Sequence, residues 1–431
     1  MSKIDPQNVD KSVDSIFKMI DYGHQSIADM VPISIFLDGV SILLAYKIWS
    51  LCPTAGGQES STRYIKLAED EVVDPNILGI PEKAISEWRK YISESFQSYA
   101  KALDIWESVA DKDPSIMGIP KAILLDESDL GKKKLARLKR NFGFDRARYF
   151  LPVAAKTNVM LLMSARGWIS LCQQLLSSGW REAAILGGLI RKELELVTPR
   201  LLKHASYKED FHRGSEIEFE KEISIVRKRR ECGDLYKEGN GARSGAFLDC
   251  LVAPILGGES DLIKGDLAHH PTRYSWVGTG LQRMAVRFGW EAISMAEIRD
   301  LNRHRTGTKY CPLVARGFYF AQDQIAKGGH VERALESTLE ALAKTSRDFN
   351  RRSNELLENG EKSHAYWTNL GAQYYFEHTT TADKFIYEAE LRTGIGAHYR
   401  YAFHMKEVLQ LWYEKFPETK GLIIEGGAEP E

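Results

Sequence analysis

The 431-residue sequence predicts an α+β fold that is rich in helix and carries a small share of sheet. Three observations support this. Long stretches place apolar residues at helical intervals, strand-like alternation is confined to short runs, and the composition is globular. Hydrophobic residues make up 43%, with 58 Lys+Arg against 59 Asp+Glu, in a chain long enough for two or more domains.

The elements follow in chain order. The most apolar stretch, VPISIFLDGVSILLAYKIW (31–49), is interrupted by Asp38, Gly39 and Lys47 and reads as a buried core segment, not a membrane span. MVPISIFL (30–37) alternates apolar and small residues like a strand. Residues 83–111 place Ile85, Trp88, Ile92, Phe96, Tyr99, Leu103 and Trp106 on one helical stripe. Helices are also expected over 158–176, 180–203, 330–360 and 380–414, the third stopping at Asn359-Gly360. YCPLVARGFYF (310–320) reads as a short, mixed strand. Proline and glycine clusters mark loops at 53–57, 75–81, 112–120 and 254–265, and the tail EGGAEPE is expected to fray.

Composition excludes some functions. A net charge of −1 gives no general attraction to nucleic acid or an anionic membrane. The first 20 residues lack a signal-peptide apolar core. Five scattered cysteines without a CxxC pair read as reduced thiols of a cytoplasmic protein, not as a disulfide framework or zinc site, and no metal is expected.

A faint duplication is legible. Ser41 precedes Ser50 by nine positions and Ser294 precedes Arg303 by nine, each stretch following a glycine, Gly39 or Gly289. Three polar constellations stand out. In YGHQSIADM (22–30), His24, Ser26 and Asp29 form either a polar cluster or a helix start capped by Ser26. GGQESSTRY (56–64) is either a phosphate-accepting loop or a solvated turn. LNRHRTGTKY (301–310) sets Arg303, His304 and Arg305 side by side; such groups repel unless an anion sits among them, although an exposed basic turn would also suffice. Arg148 in RARYFLP and Arg392 in EAELRTGIGAHYR lie near apolar helical segments, where either side chain could snorkel to the surface.

Taken in order, these residues resemble the flavin-dependent, or alternative, thymidylate synthase family. Its pattern is Gly-His-x-Ser, Arg-His-Arg, a Glu-x-Ser-x-Arg-Tyr loop, Ala-Arg-x-x-Leu-Pro and a late helical Leu-Arg. The resemblance implies two fused, diverged copies of that fold, helix-rich with a small sheet in each half, over 1–215 and 216–431. The first half keeps Gly23-His24-Gln25-Ser26, Glu59, Ser61, Arg63, Tyr64 and Arg148, but has Ser50-Leu51-Cys52 for the basic triplet, Leu175 for the late arginine, and Ser164 and Ser170 for two asparagines. The second half keeps Arg303-His304-Arg305 and Arg392, but has Val277 for the histidine, KYCPLVARGF for the Glu/Ser/Arg loop, and Asp300 for a nucleotide-contacting glutamine.

Family active sites are shared between subunits, so this sorting implies one composite site and one lost reciprocal site. By resemblance Arg392 is the catalytic cation. Glu59, Ser61, Arg63, Arg148 and Arg303 bind the nucleotide, and His24, Ser26, Arg303, His304 and Arg305 bind FAD. The implied reaction converts dUMP to dTMP with methylenetetrahydrofolate and NADPH, or transfers a one-carbon unit to C5 of a related pyrimidine nucleotide, in a homodimer equivalent to a family tetramer. The rival expectation is a catalytically inactive flavin- or nucleotide-binding homologue. Nucleic-acid binding conflicts with the neutral charge.

Overall fold

A computed structural model describes residues 25–233, 244–251, 259–326, 331–394 and 396–427, with five isolated positions before residue 25. Strand β1 (Pro32–Ser41) runs directly into helix α1 (Ile42–Leu51). Ser41 makes the transition by closing the helix N-terminus, its Oγ accepting from Leu44 N at 2.9 Å. There follow β2 (Gly56–Glu59), α2 (Ile85–Lys112), α3 (Asp129–Ala147), β3 (Lys156–Ser164), α4 (Ala165–Ser177), α5 (Arg181–Val197) and α6 (Glu209–Glu231). The antiparallel sheet has the order β1-β3-β2.

The second half contains β4 (Ala246–Leu251), β5 (Ala285–Ser294), α7 (Met295–Leu301), β6 (Thr308–Tyr310), β7 (Gly317–Phe318), α8 (Arg333–Glu358), β8 (Ala372–Thr381), α9 (Ala382–Thr393) and α10 (Tyr399–Lys415). Its sheet has the order β4-β5-β8-β6, with β7 also on β8.

Strand register makes the duplication concrete. Ile35 pairs with Leu161 as Phe288 pairs with His378, and Val40 with Thr157 as Ile293 with Tyr374. Equivalent positions lie 253 residues apart on the first strand of each pair and 217 apart on the second. The register slips at the same place in both, between Leu37 and Val40 and between Trp290 and Ile293. A bulge is one extra residue and is not placed by general propensity, so its repetition marks common geometry. Ala165 N donates to Val31 O and Ala382 N to Met284 O, again as equivalents. Ser294 caps α7 as Ser41 caps α1, with Glu297 completing a capping box.

The halves share backbone and core. Val153 N donates to Thr368 O, and Leu370 N and Gly371 N donate to Leu151 O and Tyr149 O. Trp88, Trp106 and Tyr149 belong to one buried cluster with Trp290, Trp367 and Trp412. Helix α6 runs without interruption through position 215, where the sequence places the junction of the copies.

Several elements differ from expectation. The helix expected over 158–176 is a strand to Ser164 and a helix only from Ala165. Val159, Leu161 and Met163 point inward, but the outward-facing Met160 and Leu162 are apolar too, so the period-two pattern is invisible in composition. Residues 380–414 begin as the end of β8 and continue as two helices broken at Gly394. The strand expected over 310–320 reduces to β6 and β7, and β5 and most of β8 have no counterpart in the sequence reading. No described helix is long and apolar enough to cross a membrane.

Candidate active site

The basic triplet lies in the turn between α7 and β6. Asn302 pins the end of α7 to the first half, its Nδ2 donating to Tyr46 O at 2.9 Å and Ser50 Oγ at 3.0 Å. Gly307 fixes the other end, with φ +65°; a Cβ there would sit 2.0 Å from Thr379 O, so only glycine fits. The turn is therefore held at both ends. His304 faces inward, Arg303 is about one-third exposed, and Arg305 lies outside with its guanidinium 5.5 Å from the Trp49 ring.

Arg392, on α9, joins this turn. Its Nε donates to His304 Nε2 at 2.7 Å and its Nη2 to Asp300 O at 2.6 Å. The first bond requires His304 Nε2 to carry no proton. Burial pushes the ring down to about 3, against the opposing pull of Glu388, so it is neutral. Glu388 Oε2 lies 3.0 Å from His378 Nδ1, and Glu388 Oε1 lies 3.9 Å from His304 Nε2. Burial opposes ionisation of Glu388, but His304, His378 and Arg392 outweigh it and hold the carboxyl down to about 2. His378 Nε2 contacts Thr306 O at 2.7 Å, tying the network back to the turn.

First-half residues reach the same place. The Glu59 side chain is 1% exposed; it accepts from Trp49 Nε1 at 3.0 Å, forms an ion pair with Arg299, and lies 3.7 Å from Arg303 Nη2. Arg148 does not snorkel to the surface: it is 2% exposed, with Nη2 3.4 Å from Asp300 Oδ2. Burial raises the Asp300 carboxyl, but Arg148, Arg303, Arg392 and Arg299 outweigh it and keep it below the usual carboxylate range. Arg63 is bidentate on Asp145 at 2.7 and 2.9 Å, and Ser61 Oγ accepts from Arg63 N at 3.3 Å.

A cleft of about 730 Å³ opens beside this network. It is lined by Arg303, His304, Arg305 and Arg392, with Tyr274, Trp276 and Tyr387 among the aromatic walls. Val277, at the position that matches His24, also lines it. Arg63, Arg148 and Glu59 are not among its lining residues.

Ser26 lies elsewhere. It is exposed on a 3-10 turn (Gln25–Met30) whose Ala28 packs on Ala165 and Leu201. Asp29 accepts from Ser164 Oγ and pairs with Arg166, each at 3.1 Å. His24 lies outside the described residues, as do most of the glycine-rich 238–245 segment and the end of the tail.

The equivalents of His304 and Arg392 in the first half are Leu51 and Leu175. They line a separate pocket of about 440 Å³, walled on one side by Phe211, Gly214 and Ser215 of α6. The reciprocal position is thus apolar and covered by the helix that links the halves.

Sequence reading missed Glu388, His378, Arg299, Asp145 and Asn302. Only Glu388 carried a local signal, one helical turn before Arg392. Among the described residues the cysteines are free, and no group of three or more His, Cys, Asp or Glu is placed to hold a metal.

Residues 1–200 match the family model described as thymidylate synthase complementing protein. A protein of Thermoplasma acidophilum, UPF0159 protein Ta1429, is 28% identical over 203 residues, covering 43% of this chain and 40% of the relative. The first 200 residues are thus similar to the thymidylate synthase complementing protein family, and the second half repeats the strand–helix register of the first.

Proposed function

We propose that the chain is a flavin-dependent enzyme transferring a one-carbon unit to C5 of a pyrimidine nucleotide, dUMP to dTMP being the simplest case. The supporting observation is the meeting of Glu59 and Arg148 from one half with Arg303, His304 and Arg392 from the other. The cleft has a cofactor-sized volume, basic groups for a dinucleotide's anions and flat aromatic walls, so these residues fit FAD. Arg303, His304 and Arg305 would hold it, with His24 and Ser26 supplied from a second copy in the homodimer. When bound, FAD would supply the hydride and one-carbon chemistry, with NADPH as reductant and methylenetetrahydrofolate as donor.

The chain's own task is electrostatic. Arg392 presents a cation fixed by two hydrogen bonds, suited to stabilise negative charge on a uracil carbonyl as C5 becomes electron-rich. Neutral His304 orients that guanidinium without adding a competing charge. Glu59, Ser61, Arg63, Arg148 and Arg303 would position the nucleotide. A cysteine nucleophile is not needed: burial pushes the Cys52 and Cys311 thiols up to about 12, so they are protonated and unreactive. The rival reading, a binding homologue without catalysis, draws support from Arg63 and Arg148 being already paired with Asp145 and Asp300.

The test is an absorbance spectrum of the purified protein, as isolated and with added FAD. Flavin bands near ~370 and ~450 nm, perturbed by dUMP, are expected. A colourless protein that ignores FAD would leave the binding-homologue reading in its place. Arg63→Ala and Arg303→Ala, in different halves, should each abolish turnover; a silent variant would end the composite-site idea.

A further inference from the structure

The stretch HPTRYSW (270–276) carries two large aromatic rings into the cleft. Tyr274 is 58% exposed and Trp276 56%, and both line the cavity. Their exposure does not come from a loose loop, because the residues between them are tied inward. Thr272 N donates to Ser275 Oγ at 3.1 Å, the two hydroxyls lie 2.9 Å apart, and Ser275 N donates to Thr272 O at 2.9 Å. Arg273 is buried, its Nη2 donating to Gly427 O at 3.4 Å. Gly278 closes the far end, its N donating to Asp266 O at 2.9 Å.

An ion pair holds the near end. His270 also lines the cleft, and its Nε2 lies 2.9 and 3.1 Å from the two carboxylate oxygens of Glu390 on α9; both side chains are 1% exposed. Glu390 Oε1 accepts from Ile424 N at 2.9 Å, which fixes the carboxylate. The bond to Glu390 raises the His270 ring above its ordinary value against burial, and the backbone at Ser275 and Trp276 adds to the rise. The ring thus joins α9 to the backbone that carries Trp276. Helix α9 also bears Tyr387 and Arg392, and the Tyr274 and Tyr387 rings lie 6.1 Å apart. The duplication shows that the fold does not require this pair. By the offset that relates Arg392 to Leu175, Glu390 corresponds to Gln173, a neutral amide whose Nε2 donates to His204 O at 2.8 Å. A buried ion pair where an amide suffices adds nothing to stability, so the cavity beside it supplies the better reason.

We propose that His270 is a positioning residue: its bond to Glu390 holds Tyr274 and Trp276 as a stacking wall for a flat heteroaromatic ring whose anionic group meets the basic turn. The stacking role rests on the function proposed above; the anchoring of the wall by His270 stands without it. Around the pair stand Arg273 from its own loop and Tyr413 from α10, whose OH donates to Glu425 Oε1 at 2.7 Å. Burial, Glu425 and Glu390 keep Tyr413 protonated, so His270 is the group that titrates. Its value is raised, so the anchor is complete below the ordinary 6.5 and is lost as pH rises through the raised value.

The test reads acrylamide quenching of Trp276 in the full chain without ligand, as the difference between wild type and Trp276→Phe, from about pH 6 to 9. Quenching should rise through one transition. Glu390→Gln should move its midpoint down by at least about one pH unit, and His270→Gln should show no transition. A purely structural pair would move the urea midpoint and leave this profile flat. FAD and dUMP, titrated separately by calorimetry, distinguish the two sources of the ring. Whichever binds should bind about tenfold more weakly to Trp276→Ala, and wild type should lose a similar factor above the transition. A flat wild-type quenching profile, or an unmoved midpoint in Glu390→Gln, would overturn the anchor. Full affinity of Trp276→Ala for the probe that binds would overturn the stacking wall. If neither probe binds while the transition is present and shifted, the anchor stands and the ring ligand falls, together with the function above. Should Glu390→Gln fail to fold, His270→Gln decides, and a profile equal to wild type overturns the proposal.

Discussion

Replacing Glu59 by Gln is expected to destabilise the fold by about 3–5 kcal/mol, the cost of stripping a buried ion of its partner. Arg299 is 4% exposed and Glu59 1%, so solvent cannot take over the lost interaction. Gln keeps an acceptor for Trp49 Nε1, and the shape is nearly conserved, which isolates the charge. Arg303, one-third exposed at 3.7 Å, adds at most about 1 kcal/mol after screening. Urea denaturation followed by tryptophan fluorescence reads the change, provided the slope is unaltered. Arg299→Met in the Glu59→Gln background should recover a large part of the loss, because an apolar side chain no longer needs the carboxylate. A loss below about 1 kcal/mol, or no recovery in the double variant, would refute the claim that this pair fastens one half to the other.

Acid should weaken the fold. Burial holds His304 and His364 down to about 3, so between the ordinary value of 6.5 and that point the unfolded chain binds protons the native chain refuses. Each histidine then removes up to about 1.4 kcal/mol per pH unit as pH falls. Glu388, held at about 2, adds the same sign below its ordinary 4.5, while His270, raised by its bond to Glu390, opposes the trend as a group favoured when protonated. An unchanged urea midpoint between pH 7 and 5 would refute this sum. Gly307→Ala should cost at least about 1–3 kcal/mol, from its positive φ together with the collision with Thr379 O, and should loosen the basic turn to limited proteolysis. Light scattering should give a homodimer, with Phe36, Met160 and Leu162 on the outer sheet face of the first half providing exposed apolar surface. A monomer at micromolar concentration would count against it.

How much of this was legible in the sequence differs element by element. The stripes of α2 and α8 were readable because their solvent faces are charged. Strand β3 was not, because its outer face is as apolar as its inner one. For the site, the basic triplet and Arg392 could be found by spacing, since each belongs to a local pattern. Their partners could not: Asp145 lies 82 positions from Arg63, and Asp300 lies 152 from Arg148. Charge pairing across such separations is set by the strand–helix register, which a single sequence does not print.

The duplicated register also supplies an internal control for the buried polar network. His378 and Leu161 hold equivalent places on β8 and β3. By the same offsets, Glu388 corresponds to Leu171, Arg392 to Leu175, and His304 to Leu51. In the first half all four positions are leucine, and the same β–α–β arrangement stands, with Leu161, Leu171 and Leu175 in a continuous apolar core. The fold therefore does not need a histidine, a carboxylate and an arginine at these points. Burying ionised groups where leucine suffices is neutral at best for stability. A network kept in one half and replaced by leucines in the other is thus best explained by what it does to a ligand in the adjoining cleft. Replacing His304, His378, Glu388 and Arg392 together by leucine should leave the urea midpoint equal or higher while removing flavin binding; a large loss of stability would instead make the network structural and sever this argument from function.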